Sequence, residues 1–453
     1  MSSSATHIFR GPLIHTPTPS TLEILPTATL IVTNGIITAL FHSPTDLPDD
    51  FLPEDAQIRN LPPGDFLIPG FVDTHNHAPQ WPMRGLGQGL HILDWLNEVT
   101  FPIEARFADT GYAKSIYEDT VADFLRQGIT TASYYSSRHA EATKILAEIC
   151  HKRGQRALVG KCNMDRNAPE FIREMSADDS LKETEECIAH IRALPGCDDA
   201  NGTALIKPVV TPRFAISCTP DLLGGLGELV KRDKTLAVQT HFNKAQQEID
   251  ATRALFPQFN GSEADLYEHY GLLNARSILA HCTIMTEHEK NRVSALNCGV
   301  AHCPIANMAV GGGFMVAPIR DFLRRDIKVG LGTDSGGGWA SSMLSVMRQA
   351  MIASNAREVL SDGKEQALSI GEVFYLATMG GARVLNLETR IGSFEIGKEF
   401  DAVWVTTTRG LGSAMTPREE GDSLRRMFEK FVMTGDDRNI AHLFVRGRRV
   451  AGC

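Results

Sequence analysis

Side chains that bind metals stand at the ends of several short apolar segments of this sequence. The first such segment closes with Asp73-Thr74-His75-Asn76-His77, in which the two histidines are two residues apart. On an extended chain such residues point to the same side, so both imidazoles can bind one ion. Two later apolar segments end at His241 and Asp334. These two residues can complete a donor set that leaves a position open for water, as catalytic zinc sites do.

A metal held in this way predicts hydrolysis. A bound divalent cation lowers the pKa of its water to about 7, which supplies hydroxide at neutral pH. His281 ends another apolar segment, and we expect it to hydrogen-bond the attacking water or the developing oxyanion. Asp334 can bind the metal and also take the proton of the water. A lone histidine at a strand end, such as His302, is more often an ordinary polar residue, so the prediction rests on the whole set.

The segments that carry these residues alternate with amphipathic helical stretches. Eight strands that alternate with helices over about 270 residues are typical of a (β/α)8, TIM-like barrel, an α/β fold with its active site at the C-terminal ends of the strands. The predicted strands are Phe66–Asp73, Ile129–Tyr134, Arg156–Lys161, Ile206–Thr211, Leu236–His241, Ser277–His281, Gly299–His302 and Lys328–Thr333.

Both ends of the chain predict further β-structure. Thr29–Val32 and Ile36–Phe41 flank an Asn-Gly pair, which is a strong hairpin signal, and a loop rich in Pro and Asp follows over Ser43–Asp55. The tail returns to β-character at Phe400–Thr406 and Leu443–Val450. We therefore expect a small β-sandwich domain formed by the N- and C-terminal segments. The predicted division is 1–65 for its first part, 66–385 for the hydrolase barrel, and 386–453 for its second part with a helical insertion.

The composition excludes several classes of function. The 453 residues carry a net charge of −9 and no basic run, which argues against nucleic acid or an anionic membrane as partner. No stretch approaches the roughly 20 apolar residues of a membrane-spanning helix, and Met1 to Pro19 does not resemble a secretory signal. The nine cysteines are scattered without a CxxC pair, which is typical of reduced thiols. We expect a cytoplasmic enzyme or a large binding protein.

The motif Pro69 to His77 resembles the opening motif of the amidohydrolase superfamily. Further motifs resemble its guanine deaminase branch: Ala78-Pro79-Gln80, Thr211-Pro212-Arg213-Phe214, Gly330-Leu331-Gly332-Thr333-Asp334, Gly397-Lys398-Glu399-Phe400-Asp401-Ala402 and Gly435-Asp436-Asp437-Arg438-Asn439. The resemblance implies one zinc ion bound by His75, His77, His241 and Asp334, although iron and manganese accept the same ligands. It also implies a homodimer and a role in purine metabolism.

The same resemblance implies that Gln80, Arg213 and Phe214 face the substrate, and their chemistry suits a purine. Gln80 offers a donor and an acceptor side by side, Arg213 can donate to a ring carbonyl oxygen, and Phe214 provides an apolar face. Without the motif, Arg213 would be read as a surface or loop-anchoring residue and Phe214 as a core residue.

One residue departs sharply from the guanine deaminase pattern. Those enzymes carry a Glu three residues after the strand-five histidine, and this Glu passes a proton from the water to the ring. The sequence here is Thr240-His241-Phe242-Asn243-Lys244, with a lysine at that place. Protonated Lys can only donate a proton, so it cannot simply replace the Glu. Four alternatives remain open for Lys244: it swings away from the metal, it has a lowered pKa that restores acid/base catalysis, it binds an anionic group of the substrate, or it points to solvent. Glu248, about one helical turn further on, is expected to be too remote to replace the Glu.

Three hypotheses remain open. The first is hydrolytic deamination of guanine or a guanine-like amino-heterocycle by metal-bound hydroxide. The second is a hydrolase of the same fold that cleaves another C–N, C–S or C–halogen bond, with an anionic heterocycle as one candidate substrate. Altered loops at Cys282, His302-Cys303-Pro304-Ile305-Ala306-Asn307 and Ser335-Gly336-Gly337-Gly338 agree with it. The third is a catalytically silent scaffold, against which the intact set of metal ligands counts.

Overall fold

The computed structural model of the protein describes residues 6–43, 56–198, 202–310, 315–408, 416 and 418–452. Its strands are β1 (Thr6–Thr18), β2 (Thr21–Thr33), β3 (Ile36–Phe41), β4 (Gln57–Asn60), β5 (Phe66–Pro69), β6 (Phe71–His77), β7 (Ile129–Tyr135), β8 (Arg156–Gly160), β9 (Cys162–Asn163), β10 (Ile206–Pro212), β11 (Ala237–Phe242), β12 (Ser277–His281), β13 (Gly299–His302), β14 (Lys328–Leu331), β15 (Ala402–Val405), β16 (Ile440–Val445) and β17 (Arg448–Gly452).

The α-helices are α1 (Ile92–Trp95), α2 (Phe101–Ala105), α3 (Thr110–Arg126), α4 (Ala140–Arg153), α5 (Ala177–Ala193), α6 (Pro220–Arg232), α7 (Gln246–Leu255), α8 (Glu263–His269), α9 (Glu287–Ala295), α10 (Pro304–Ala309), α11 (Ile319–Arg324), α12 (Met343–Leu360), α13 (Ile370–Ala377), α14 (Met379–Val384) and α15 (Leu424–Thr434). Among the helices of the described residues, none is long and apolar enough to span a membrane.

Eight strands, β6, β7, β8, β10, β11, β12, β13 and β14, form a parallel sheet in that spatial order. The sheet curls until its two edge strands meet. There Thr74 Oγ1 donates a hydrogen bond to the Leu331 carbonyl at 2.8 Å, and the Asp334 N–H donates to the His75 carbonyl at 2.9 Å. The predicted barrel is thus confirmed, and its C-terminal rim carries the polar strand ends.

The two chain termini build the second unit, an eight-stranded sheet with the order β17, β16, β15, β5, β1, β2, β3 and with β4 paired to β1. The predicted hairpin between β2 and β3 is present, with φ of 51° at Asn34 and 81° at Gly35, the conformation that an Asn-Gly turn supplies. Phe9 stacks on Phe400 with ring centroids 4.6 Å apart and anchors the core of this sheet. The expectation of a small β-domain from both termini is confirmed.

One predicted strand is divided between the two sheets. Phe66–Asp73 was expected to be a single barrel strand, but Phe66–Pro69 pairs antiparallel with β15, and the barrel strand starts at Phe71. Gly70 lies between them, packed so closely on Thr130 that a Cβ would lie 2.2 Å from Thr130 Oγ1. The division into 1–65, 66–385 and 386–453 stays a prediction, and the loop predicted at Ser43–Asp55 lies, from Pro44 on, outside the described residues.

An ion cluster joins the barrel to the small sheet. Arg156, at the start of β8, is 1% exposed and donates to Asp401 at 3.0 Å and to Glu399. Arg390 and Arg446 also donate to Glu399. Both carboxylates belong to the Gly397-to-Ala402 motif, so these ion pairs connect the turn before β15 to the N-terminal end of the barrel strands.

Candidate metal centre and substrate cavity

Five side chains predicted for the metal centre converge at the rim of the barrel. The ligand atoms of His75, His77 and His241 lie within 4.8 Å of one another, and so do those of His75, His281 and Asp334. Asp334 Oδ1 lies 3.3 Å from His75 Nε2 and 3.7 Å from His77 Nε2. His77 Nε2 and His241 Nε2 are 3.1 Å apart. The strand-end residues are therefore one cluster.

Hydrogen bonds from neighbouring groups orient two of these imidazoles. His241 Nδ1 lies 2.6 Å from the Arg213 carbonyl oxygen, and His281 Nδ1 lies 2.8 Å from Asn307 Oδ1. With each Nδ1–H donated to an oxygen, each Nε2 presents its lone pair to the cluster, the arrangement typical of histidines at metal sites. Asn307, on α10, thus orients His281.

Burial lowers the pKa of three histidines of the cluster. The pKa values of His77, His241 and His281 are held well below the ordinary value, first by burial. Neighbouring imidazoles lower them further, and Lys244 does so for His241 and His281. Burial alone would raise the pKa of Asp334, but Lys244 and His75 lower it well below its ordinary value. Neutral imidazoles and an ionised carboxylate are the forms that bind a metal.

The donor set fits a divalent cation. His75 Nε2 and His281 Nε2 face the cluster and are buried nitrogens without a hydrogen-bond partner in the described residues. Buried polar atoms are rarely left unsatisfied, so the cluster needs a further bonding partner. Three imidazoles and a carboxylate suit zinc, and iron or manganese accept the same donors.

The backbone at this rim is strained. His281, Cys282 and Asp334 have positive φ of 80°, 49° and 44°, and Asn243 has 46°. Residues other than glycine adopt this backbone region rarely, and such residues concentrate at functional sites.

Asp73 connects two of the strand ends, because it accepts hydrogen bonds from Thr333 N at 3.0 Å and from Thr333 Oγ1 at 2.6 Å. Burial raises the pKa of Asp73 to about 7.

A cavity with an empty volume of about 460 Å³ opens beside the cluster. Short helical segments after β6 provide most of its apolar wall. Its lining residues are His77, Gln80, Ile92, Leu93, Trp95, Leu96, Arg213, Phe214, Ile216, His241, Lys244, Glu248 and Asp334.

Gln80 and Arg213 are held side by side by one buried carboxylate. Glu104 is 1% exposed and accepts from Gln80 Nε2 at 2.9 Å, from Arg213 Nη1 at 2.5 Å and from Arg213 Nη2 at 3.1 Å. Gln80 Oε1 has no partner in the described residues. The Phe214 ring lies 5.8 Å from the His241 ring. The three predicted substrate-binding residues therefore share one wall with the metal cluster.

Lys244 points into the site. Its side chain is buried, and Nζ lies 3.3 Å from Asp334 Oδ2. The alternative in which Lys244 points to solvent is wrong, because the turn after β11 directs the side chain towards β14. Glu248 is not remote either: it lines the same cavity, and its Oε2 accepts the Lys244 N–H at 2.7 Å.

Two contributors to the site were not found from the sequence. Glu104 belongs to α2, a five-residue helix with no periodic apolar pattern to mark it. Its role follows only from the tertiary contact with Gln80 and Arg213. Asn307 is the last residue of the His302-to-Asn307 segment, which departs from the guanine deaminase pattern, but its contact with His281 depends on α10. The sequence held no spacing signal for either contact.

The chain is similar to known proteins along its whole length. The Amidohydrolase family matches residues 66–450, and the chain belongs to this family. The barrel, with its rim of histidines and an aspartate, is thus that of a family of hydrolases, and the family implies a divalent metal ion as cofactor.

Several relatives carry a more particular name. The chain is 39% identical to a probable guanine deaminase of Schizosaccharomyces pombe, over 100% of this chain and 85% of that protein. It is 37% identical to the guanine deaminase of Dictyostelium discoideum, over 98% of both. Its fold matches the crystal structure of a guanine deaminase from C. acetobutylicum with bound guanine, with a TM-score of 0.88 and 33% identity, over 98% of this chain and 99% of that chain.

Proposed function

We propose that this protein is a metal-dependent hydrolase that deaminates guanine to xanthine and ammonia. The observation that carries the proposal is that one cavity combines the His75, His77, His241 and Asp334 cluster with the paired Gln80 and Arg213. The names of the full-length relatives support the same activity. The substrate class is therefore a small amino-heterocycle.

Gln80 and Arg213 would recognise the purine edge. A guanidinium donates to a ring carbonyl oxygen, and the free Gln80 Oε1 can accept a ring N–H. Because Glu104 holds both side chains, their spacing is fixed before substrate enters, which reduces the entropic cost of binding. Phe214 would provide an apolar face for the ring.

The metal-binding residues would be His75, His77, His241 and Asp334. A divalent ion, when bound, lowers the pKa of coordinated water and so supplies a nucleophile at neutral pH. Asp334 would accept a proton from the attacking water, and His281, with Nδ1–H directed at Asn307, would accept a hydrogen bond at Nε2. Zinc is the ion we propose, since three imidazoles and one carboxylate are donors that it accepts.

A second function is favoured by one observation, the burial of the Lys244 ammonium in the cavity wall. A cation at this place would attract a heterocycle that carries a negative charge. Such a substrate with a better leaving group would need less protonation at the ring. The two functions differ in their response to charge: a guanine deaminase turns over neutral guanine, whereas the alternative enzyme turns over only anionic analogues.

We also propose a homodimer in the cytoplasm, acting in purine metabolism. The unpaired state of the eight cysteines in the described residues agrees with a reducing compartment. Light scattering on the purified protein measures the mass of the assembly, and microscopy of a tagged chain measures its location. A monomeric mass or an organelle signal would contradict these two proposals.

The activity is tested by incubating the purified, zinc-loaded protein with guanine. Loss of guanine should be matched by equal amounts of xanthine and ammonia. Adenine serves as the matched control substrate, because it lacks the ring carbonyl that Arg213 is proposed to bind. Turnover of anionic analogues without turnover of guanine would support the second function. Bound metal without turnover of either would support the silent scaffold.

A further inference from the structure

Glu248 is a carboxyl group in the reaction cavity that the proposed function has not used. It is 4% exposed and lines the cavity with Lys244, Asp334 and Arg213. Its Oε2 is fixed by the Lys244 N–H at 2.7 Å, whereas Oε1 is buried without a hydrogen-bond partner in the described part of the chain. A fixed carboxyl with one free oxygen beside a substrate cavity has the geometry of a proton-transfer group.

The turn that presents Glu248 is rigid. Asn243 adopts a φ of 46°, and Thr283 Oγ1 donates to the carbonyl oxygens of Asn243 and Lys244 at 3.0 Å and 2.6 Å. The Asn243 N–H is held in turn by Glu263 Oε2 at 2.8 Å. The first turn of α7 is thereby directed back towards the barrel rim, so Glu248 lies in the wall of the site.

We propose that Glu248 carries the proton to the ring nitrogen of the substrate, replacing the carboxylate that guanine deaminases carry at the position of Lys244. The inference rests on the proposed deamination and identifies a residue for it. Burial raises the pKa of Glu248, against the opposing charge of Lys244. A protonated carboxyl is the form that can donate, and Lys244, which has no lone pair when protonated, cannot take the proton back.

The proton transfers balance over the reaction. As the water oxygen bonds to the amino-bearing carbon, one water proton passes to Asp334, the C=N electron pair moves to the ring nitrogen, and Glu248 gives that nitrogen its proton. In the second step the new hydroxyl returns a proton to Glu248 as the C=O bond forms. Asp334 protonates the amino group, the C–N bond breaks, and ammonia leaves. Both carboxyl groups end in their starting forms.

The test is a double-mutant cycle on the zinc-loaded full chain, with Glu248→Gln, Lys244→Glu and the double variant. Glu248→Gln keeps an oxygen for the Lys244 N–H but loses the transferable proton. We expect kcat for guanine to fall at least about a hundredfold with KM within about threefold. The Lys244→Glu variant has a carboxylate at residue 244, which can take over the proton transfer. In that background the further change Glu248→Gln should therefore lower kcat by less than about fivefold.

Glu174→Gln is the matched control, because Glu174 is also a buried glutamate that accepts a backbone N–H, from Met164 at 2.8 Å, but it does not line the cavity. It should lower Tm without the loss in kcat. Equal losses for Glu248→Gln in both backgrounds would make Glu248 a merely structural residue and overturn the inference. An inactive wild type with an active Lys244→Glu variant would also overturn it, while deamination by this scaffold would stand. If neither turns over guanine, the proposed function itself fails, and the inference fails with it.

Discussion

Lys244 Nζ lies 3.3 Å from Asp334 Oδ2, and both side chains are buried at the rim of the barrel. A cation therefore stands beside the carboxylate that is proposed both to bind the metal and to accept a proton. The resemblance to guanine deaminases implies a Glu at this place, so the local charge differs by two units from that pattern. The three imidazoles nevertheless lie together, and Gln80 and Arg213, the proposed substrate-binding pair, line the same cavity.

Replacing Lys244 by Glu should raise the turnover of guanine above that of wild type. A carboxylate accepts a proton and passes it on, whereas an ammonium only donates. The measurement is steady-state kcat and KM for guanine, with Lys244→Met as the control that removes the charge without adding a proton carrier. If Lys244 binds an anionic substrate group, Lys244→Glu will instead destroy the native activity.

Removing the Asp334 carboxylate should abolish hydrolysis. Asp334→Ala takes away one proposed metal ligand and the proton acceptor together, and we expect kcat to fall by at least about a thousandfold. Metal analysis of the variant should show less than one ion per chain. Asp334→Asn, of nearly the same shape, tests the charge alone. If the activity of Asp334→Ala stays within a few-fold of wild type, the proposed role of Asp334 as metal ligand and proton acceptor is wrong.

Breaking the pair of Glu104 and Arg213 should cost both stability and substrate binding. Glu104→Gln leaves Arg213 as a buried cation without its counter-ion, which typically destabilises a protein by about 3–5 kcal/mol. Denaturant unfolding measures this cost, and KM for guanine should rise because Gln80 and Arg213 lose their common anchor. Glu118→Gln, at the exposed pair with Arg153, is the control and should change stability by less than about 1 kcal/mol. Equal effects of the two variants would contradict the anchoring role.

The junction between barrel and small sheet should weaken in acid. Burial alone would raise the pKa of Glu399, but Arg156 and Arg390 lower it from 4.5 to about 2. A lowered folded-state pKa gives stability that is present above pH 4.5 and is lost as the pH falls towards 2. The free energy of unfolding of wild type should therefore fall over this window.

The free energy of unfolding of the Glu399→Gln variant should fall less than that of wild type over the same pH window. The difference between the two falls should be roughly 3 kcal/mol at most. The comparison with wild type is needed because burial shifts the pKa of Asp401 in the opposite direction, upwards. Urea unfolding at a series of pH values measures both proteins. Parallel curves for the two would show that the charge of Glu399 does not hold the junction.

The clustering of the candidate metal ligands could be predicted from the sequence, because strand order and strand ends determine where they lie. His75 and His77 lie in the last three residues of β6, His241 is the last residue but one of β11, and Asp334 follows β14. A parallel barrel gathers such strand ends at one rim. The hairpin at Asn34-Gly35 could also be predicted, because these two neighbouring residues specify its turn.

Features that depend on tertiary placement could not be predicted in this way. Glu104 reaches Gln80 and Arg213 only because α2 packs over the barrel rim. Glu248 was expected to be remote, since counting residues along a helix ignores the turn at Asn243 that precedes α7. The strand Phe66–Pro69 was assigned to the barrel because its apolar run continues past Gly70, and only pairing with β15 places it elsewhere.

The most direct test of the central claim is the metal dependence of guanine turnover. The protein is stripped with a chelator, reloaded with one zinc ion per chain, and assayed for xanthine and ammonia in both states. We predict no turnover in the stripped protein and recovered turnover at one ion per chain. Equal turnover in both states, or none in a reloaded protein that demonstrably holds its ion, would contradict the claim.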